Sequence, residues 1–187
     1  MTRIISGKHK GRRVKAPKKL PTRPTTDMAK EALFNIIRSQ YHISSLNVLD
    51  LFAGTGNISY EFASRGSQKI VAVDSNYHCV QFINKTAEEF DFETIQTIKS
   101  DVFKYLERAS GTYDIIFADP PYDIPLEEFE KIAKLIFENQ LLDPDGTLII
   151  EHSKQTKMDH VTHYVETRHY GGNAFSFFVW PESDEEE

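Results

Sequence analysis

With a single cysteine, Cys79, the chain cannot build an internal disulfide framework, and a reducing compartment suits it. Cys79 itself reads as a helix residue of no chemical consequence. No apolar run approaches the roughly 18–20 residues that span a bilayer, and no apolar stretch follows the basic N-terminus as it would in a secretory signal. A membrane protein and a secreted one are therefore not expected. No Ser-His-Asp or Cys-His arrangement is visible, which argues against a hydrolase built on either. His152, His160 and His163 stand near Glu151, but their spacing across a strand end and a loop does not suit zinc. Solvated histidines and no metal are expected. There is no internal repeat, and the one biased segment is the terminal "ESDEEE", which reads as a disordered solubilising tail.

Acidic residues are missing from positions 1–26, where nine basic side chains gather (Arg3, Lys8, Lys10, Arg12, Arg13, Lys15, Lys18, Lys19 and Arg23). The whole chain carries −6, so the remaining residues carry −15. Such asymmetry suggests a basic arm for nucleic acid on an acidic body, or a plain solvated tail. At 187 residues, 40% hydrophobic and 27% charged, the chain suits one globular domain with a substantial core.

Two short β-like runs, at 3–6 and 12–14, flank a Gly/Lys turn. After a proline-punctuated stretch, Thr26 or Asp27 should cap a helix over 27–40, whose stripe is Ala29, Ala32, Leu33, Ile36 and Ile37. From Leu46 strands and helices alternate. "NVLDLF", "KIVAVD", "TIQTIKS", "YDIIFAD" and "TLIIEH" read as strands, the last entered through a "DPDG" turn. Helices are expected at 56–65, 76–89, 102–108 and 126–139. This alternation predicts a parallel, doubly wound sheet, and runs such as "IIFA" are apolar enough for burial on both faces. "VTHYVETRHY", Gly171–Gly172 and "AFSFFVW" read as a closing hairpin.

In such a sheet, ligands bind beyond the carboxyl ends of the strands where strand order reverses. "VLDLFAGTGN" sets Gly54 and Gly56 there, before a helix N-terminus. The next strand ends at Asp74, placed to accept both hydroxyls of a ribose, and the third leads to Asp101, within reach of an adenine. A nicotinamide dinucleotide would ask for Gly or Ala at the sixth position of the glycine fingerprint, where Ser59 stands. Its pyrophosphate would also sit badly among Asp50, Asp74 and Asp101. S-adenosylmethionine has no phosphate and carries a sulfonium and an ammonium, so an acidic pocket suits it. Each acid alone could be an ordinary helix cap; three at consecutive strand ends favour a site.

"IIFADPPYD", residues 115–123, closes the fourth strand with a stiff bracket, because prolines restrict their own backbone and that of the residue before. It can hold the Asp119 carboxylate and the Pro120 carbonyl as two fixed acceptors for a planar exocyclic amine, with Tyr122 stacked on the base. A bare Pro-Pro would merely end a strand; its place downstream of the glycine loop favours methyl transfer to an amino group.

At these motifs the chain resembles the bacterial 16S rRNA (guanine-N2)-methyltransferase family of the RsmD type, within the class I S-adenosylmethionine-dependent methyltransferases. "GKHKGRRV", "TRPTTDMAKEALFNII", "VLDLFAGTGNISYEFASRG", "VAVD", "FADPPY", "LIIEHS" and "RHYGGNAFSFF" carry the resemblance almost end to end. It implies a three-layer Rossmann-like α/β fold: a mostly parallel seven-stranded sheet with an antiparallel last strand, plus a short N-terminal β-hairpin and helix. It implies an RNA-binding hairpin and extension at 1–25, a methyltransferase domain at 26–181 and an acidic tail at 182–187. Asp50, Phe52, Ala53, Gly54 and Gly56 would line the cofactor, Asp74 and Ser75 its ribose, Asp101 and Val102 its adenine. Asp119, Pro120, Pro121 and Tyr122 would be catalytic. Arg3, Lys8, Lys10, Arg12, Arg13 and Arg23 would grip RNA.

The implied partner is 16S rRNA in the small ribosomal subunit or its assembly intermediate, met by a cytoplasmic monomer that converts S-adenosylmethionine to S-adenosylhomocysteine. Guanine N2 lies on the Watson–Crick edge, so the base must be unpaired or flipped. Methylation of adenine N6 or of a protein glutamine, and a non-catalytic RNA-binding assembly factor, are the alternatives.

Overall fold

The apolar runs pair into one large sheet whose strand order follows from their alternation with helices. The structure, a computed structural model, describes residues 1–21 and 25–183. Within them the chain runs β1 (Thr2–Arg3), β2 (Arg13–Val14), α1 (Asp27–Gln40), a 3₁₀ turn (Ile43–Ser45), β3 (Asn47–Leu51), α2 (Asn57–Ser64) and β4 (Lys69–Asp74). It continues through α3 (Tyr77–Glu89), β5 (Ile95–Lys99), α4 (Val102–Arg108), β6 (Tyr113–Ala118), α5 (Leu126–Glu138), β7 (Leu142–Ser153), β8 (Tyr164–Tyr170) and β9 (Asn173–Phe178). The seven-stranded sheet has the order β5-β4-β3-β6-β7-β9-β8. β3 to β7 are parallel, and β9 inserts antiparallel to both β7 and β8. The fold implied by the resemblance is the one found.

Strand alternation sorts the side chains into two faces. Leu49, Leu51, Val71, Val73, Ile116 and Ala118 pack against α4 and α5. Val48, Ile70, Ile115 and Phe117 pack against α1 and α2. Thr26 caps α1 by accepting from the Ala29 amide at 3.2 Å. The buried stripe of α1 is Ala29, Lys30, Leu33, Phe34 and Ile37, so it is rotated from the expected one and includes a lysine. The "DPDG" segment is not a free turn before the fifth strand. It lies inside β7, where the register with β6 slips between the pairs Tyr113–Leu142 and Ile115–Thr147.

The basic N-terminal hairpin is fixed to the body by a buried carboxylate. Glu61, in α2, accepts from the amides of Ile5 at 2.8 Å and Ser6 at 3.1 Å. It also meets Lys30 Nζ at 3.2 Å and Arg65 Nε at 3.0 Å, so every direction around it is matched. Gly7 lies against the same helix end: at φ +88°, a Cβ there would fall 2.0 Å from the Ser64 carbonyl oxygen. Ile4 and Val14 anchor the hairpin among Tyr60, Ile83, Phe90 and Phe92. Among the described residues no helix is long and apolar enough to cross a membrane.

Removing one partner of a buried, hydrogen-bonded ion cluster leaves the others uncompensated. Glu61→Ala should therefore cost about 3–5 kcal/mol in a urea titration. Glu138→Ala, at the exposed Lys134–Glu138 pair, should cost below about 1 kcal/mol. Hydrogen exchange at the Ile5 and Ser6 amides should accelerate in the first variant only; equal exchange in both would mean that the hairpin is held by its apolar contacts.

Candidate active site

Parallel pairing of β3 with β6, with Leu51 opposite Ala118, brings two loops to one edge of the sheet. The Asp119 amide donates to the Leu51 carbonyl at 3.3 Å, which carries the pairing one residue past the strand. The glycine loop leaves β3 through Phe52, whose φ of 57° lies in the left-handed region, costly for a bulky residue. The Ala53 amide then bonds to the Val73 carbonyl at 3.0 Å and the Gly54 amide to Asp74 Oδ2 at 2.9 Å. Gly56, at φ +88°, is the residue before α2. A Cβ there would lie 2.6 Å from the ring of buried Tyr60, so the loop can follow this path only with glycine.

The two loops enclose a cavity of about 430 Å³. Its walls include Asp50, Phe52, Ala53, Gly54, Asp74 and Ser75 on one side and Asp119, Pro120, Pro121 and Tyr122 on the other. The predicted catalytic residues and six of the predicted cofactor residues thus share one cleft. Gly56 sits at the base of the loop. Asp101 and Val102 are not among the residues that line the cavity: Asp101 is exposed and caps α4 by accepting from the Lys104 amide at 3.0 Å, and Val102 is in the core. The cap reading, improbable for the three acids as a set, is what Asp101 does.

Asp74 is different. Its Oδ1 accepts from the Asn76 amide at 2.8 Å and its Oδ2 from Gly54, which leaves each oxygen a second lone-pair direction. Asp50 is buried on the α2 face of β3, where the Ser59 hydroxyl donates to Oδ2 at 2.6 Å. Burial pushes the Asp50 carboxyl up to about 7; the Ser59 hydrogen bond opposes the shift and the nearby Asp74 charge adds to it. No Lys or Arg lines the cleft among the described residues. This set of acceptors fits a positively charged ligand with a ribose, and it does not fit a pyrophosphate.

The proline corner is braced from beneath by a residue that sequence reasoning did not assign. Glu151, fully buried in β7, accepts from Tyr122 Oη at 3.3 Å, Asn173 Nδ2 at 2.7 Å and Thr25 Oγ1 at 3.0 Å. Three segments far apart in sequence converge on it. Its neighbour corrects an expectation. His152 is not solvated: it is 1% exposed, bonded to Ser176 Oγ at 2.6 Å and to the Ser153 carbonyl at 2.8 Å. β7 is a central strand covered on both faces, so neither alternate residue reaches water. Among the described residues no group of three or more His, Cys, Asp or Glu could hold a metal ion.

The five described residues of the predicted RNA-binding set, Arg3, Lys8, Lys10, Arg12 and Arg13, are exposed on the hairpin. Arg3 faces Asp27 at 3.2 Å, and the Arg12 guanidinium lies 3.8 Å above the Phe90 ring. Arg23 lies outside the described residues.

Comparison with known proteins agrees with this geometry. The family model described as "Conserved hypothetical protein 95" matches residues 2–179. YlbH of Bacillus subtilis, assigned as an rRNA methyltransferase, is 33% identical over 160 residues, which cover 83% of this chain and 85% of that protein. The ribosomal RNA small subunit methyltransferase D of Buchnera aphidicola subsp. Baizongia pistaciae is 28% identical over 184 residues, covering 89% and 93%. A Thermus thermophilus 16S rRNA N2 guanine methyltransferase, solved with AdoMet and guanosine, shares the fold. Its TM-score is 0.70 at 20% identity, covering 86% of this chain and 45% of that one.

The raised Asp50 pKa has a sign that can be measured. An unfolded aspartate releases its proton near 3.8, so between about pH 4 and 7 the folded chain holds a proton that the unfolded chain has lost. This contribution to stability is intact below that window and is lost as pH rises through it. Asp50→Asn, which keeps an acceptor for Ser59, should flatten the decline in urea midpoints measured from pH 4 to 8. Parallel curves for the two proteins would mean that Asp50 ionises when folded as it does unfolded.

Proposed function

The chain belongs to the Conserved hypothetical protein 95 family, and from that premise we propose that it methylates the exocyclic N2 of a guanine in small-subunit ribosomal RNA, with S-adenosylmethionine as methyl donor. The observation that carries this reading is the meeting of an acidic cleft of about 430 Å³ with the stiff Asp119–Tyr122 corner. When bound, the cofactor supplies an electrophilic methyl group on a positively charged sulfur. Asp74 would accept from the ribose hydroxyls and Asp119 would balance the ligand's positive charge, with Asp50, whose carboxyl is pushed up to about 7 by burial, adding to this balance when ionised.

On the opposite wall, the Asp119 carboxylate and the Pro120 carbonyl accept the two N–H bonds of the guanine amine. Holding both draws the nitrogen out of plane and frees its lone pair for the methyl carbon. Tyr122 stacks on the flipped base, with its hydroxyl tethered to Glu151. The proton shed by the methylated amine passes to Asp119 or to water. Residues 26–181 form the catalytic domain, and the basic residues of 1–25, Arg23 included, hold RNA phosphates by charge. The substrate is 16S rRNA on the small subunit or an assembly intermediate, and the enzyme is a cytoplasmic monomer; S-adenosylhomocysteine is the product, and no metal takes part.

The direct test incubates the protein with labelled cofactor and unmodified small subunits, then digests the RNA. Label is expected in N2-methylguanosine; label in N6-methyladenosine or in protein overturns the substrate. Asp119→Ala should lower transfer by about a hundredfold or more while cofactor binding survives; parallel loss of both would mark Asp119 as structural. Reversing charge at Arg12 and Arg13 should weaken particle binding and reduce its logarithmic salt slope by about 0.7 for each phosphate that the protein no longer neutralises. An unchanged slope would remove these residues from the RNA surface.

A further inference from the structure

Outside residues 1–26 the chain carries −15, yet two of its later segments hold no acidic residue: 152–158, "HSKQTKM", and 167–181, "TRHYGGNAFSFFVWP". The fold brings them together. β7 makes its last pair with β6 at Ile150, opposite Ala118, and then continues through Glu151, His152 and Ser153 paired only with β9. At about 3.3 Å for each residue, this projection raises a wall roughly 10 Å above the level at which β6 ends. Two turns crown the wall. One follows Ser153, whose carbonyl accepts from the Thr156 amide at 3.2 Å, and the other is Gly171–Gly172, between β8 and β9. Asn173 stands opposite both Ser153 and Tyr170, so the turns share one height.

Lys154, Lys157, Arg168 and His169, on and beside these turns, are all exposed. Glu166 is the acid nearest to them in β8. Arg168 Nε donates to it at 3.0 Å with both side chains 45% exposed, a pairing that water weakens and that an incoming phosphate can displace. The lip is also firmly mounted: Asn173 donates to Glu151, which accepts from Tyr122 as well, so the turn is tied to the proline corner. At Gly172 a Cβ would meet nothing within 4 Å, and the backbone is not left-handed. Neither packing nor conformation asks for glycine there, whereas a bare crest lets another backbone approach closely.

This lip and the basic hairpin flank the cleft. The cleft opens between β3 and β6, the hairpin packs through Ile4 and Val14 on Tyr60, Ala72 and Ile83 beside β4, and β7, β9 and β8 lie beyond β6. We propose that the lip is a second RNA contact, where Lys154, Lys157, Arg168 and His169 hold phosphates on the side of the target base away from the hairpin. The proposal rests on the reading of the substrate as small-subunit ribosomal RNA. A strand gripped on one side of a flipped base can pivot about that grip; a second grip fixes the direction from which the base enters.

Salt-dependent binding to unmodified small subunits and to protein-free 16S rRNA tests this. Lys154→Gln, Lys157→Gln and Arg168→Gln together should weaken both about tenfold and reduce the logarithmic salt slope by about 2, near 0.7 for each phosphate no longer neutralised. Titration with S-adenosylhomocysteine should be unchanged. Removing the same charge from exposed Lys85, Lys131 and Lys134, on α3 and α5, should change binding far less. Equal losses from the two sets, or none from the lip set, overturn the proposal. Loss with assembled subunits alone assigns the lip to a ribosomal protein and overturns it too. A wild-type chain that transfers no methyl to small-subunit RNA overturns the substrate reading and the lip with it; normal methylation with an unaffected lip variant overturns the lip alone.

Discussion

The pairing of β3 with β6 is the constraint on which the site depends. Parallel strands need a crossover, and here the crossover carries the chain through β4 and β5 before it returns to the other side of β3. That reversal leaves the loop after Leu51 and the loop after Ala118 side by side with no strand between them. The glycine loop and the proline corner are stiff for opposite reasons. One follows a path that only glycine can take past Tyr60, and the other has lost freedom to two prolines. Both backbones are restricted, so a ligand that enters between them has little ordering left to impose.

Buried charge does the joining that apolar packing leaves open. The hairpin of β1 and β2 has only two residues in each strand, too few to stand alone. Glu61 matches two of its amides and two cations of the body at once. Glu151 does the corresponding work on the other side, gathering Thr25, Tyr122 and Asn173. A single carboxylate that satisfies donors from three segments sets their mutual position more narrowly than a methyl-lined contact, because a shift of about an ångström breaks a hydrogen bond outright. Thr25, the proline corner and the closing hairpin are in this way one unit.

The alternation of strands and helices was legible because each element repeats its own period. α1 at 27–40, β4 at 69–74 and α4 at 102–108 fall where the pattern places them. The proline corner at 119–122 was legible because proline acts locally. Lys30, Glu61, Glu151 and His152 were not, because polarity predicts exposure and their burial depends on distant partners: Glu61 meets Ile5, and Glu151 meets Thr25, 126 positions away. A trace was present in α1, where Lys30 falls beside Ala29, Leu33 and Phe34 on the apolar face. A lysine there needs an opposite charge, and α2 carries a lone glutamate among residues that are otherwise uncharged. Asp101 caps α4 through Oδ1 because it stands immediately before the helix that opens at Val102, a local role that an acid in that position commonly takes.

The division of charge links the site to the way RNA must approach. Outside the first 26 residues the chain carries −15, and the cleft adds to that field with Asp50, Asp74 and Asp119. Such a surface repels phosphates over a Debye length of about 8 Å at physiological salt. The hairpin gathers exposed basic side chains, and Glu61 holds it against α2, the helix that begins at the cleft. On the proposed RNA contact, a strand docked on Lys8, Lys10, Arg12 and Arg13 would arrive with its backbone on one side of the site, and a base would have to swing inward to reach Asp119. Repulsion elsewhere would disfavour other orientations, so on this proposal the acidity that suits the cofactor would also orient the RNA. A uniformly basic protein would bind RNA more tightly and in more ways, and its cofactor pocket would have to work against the same charge.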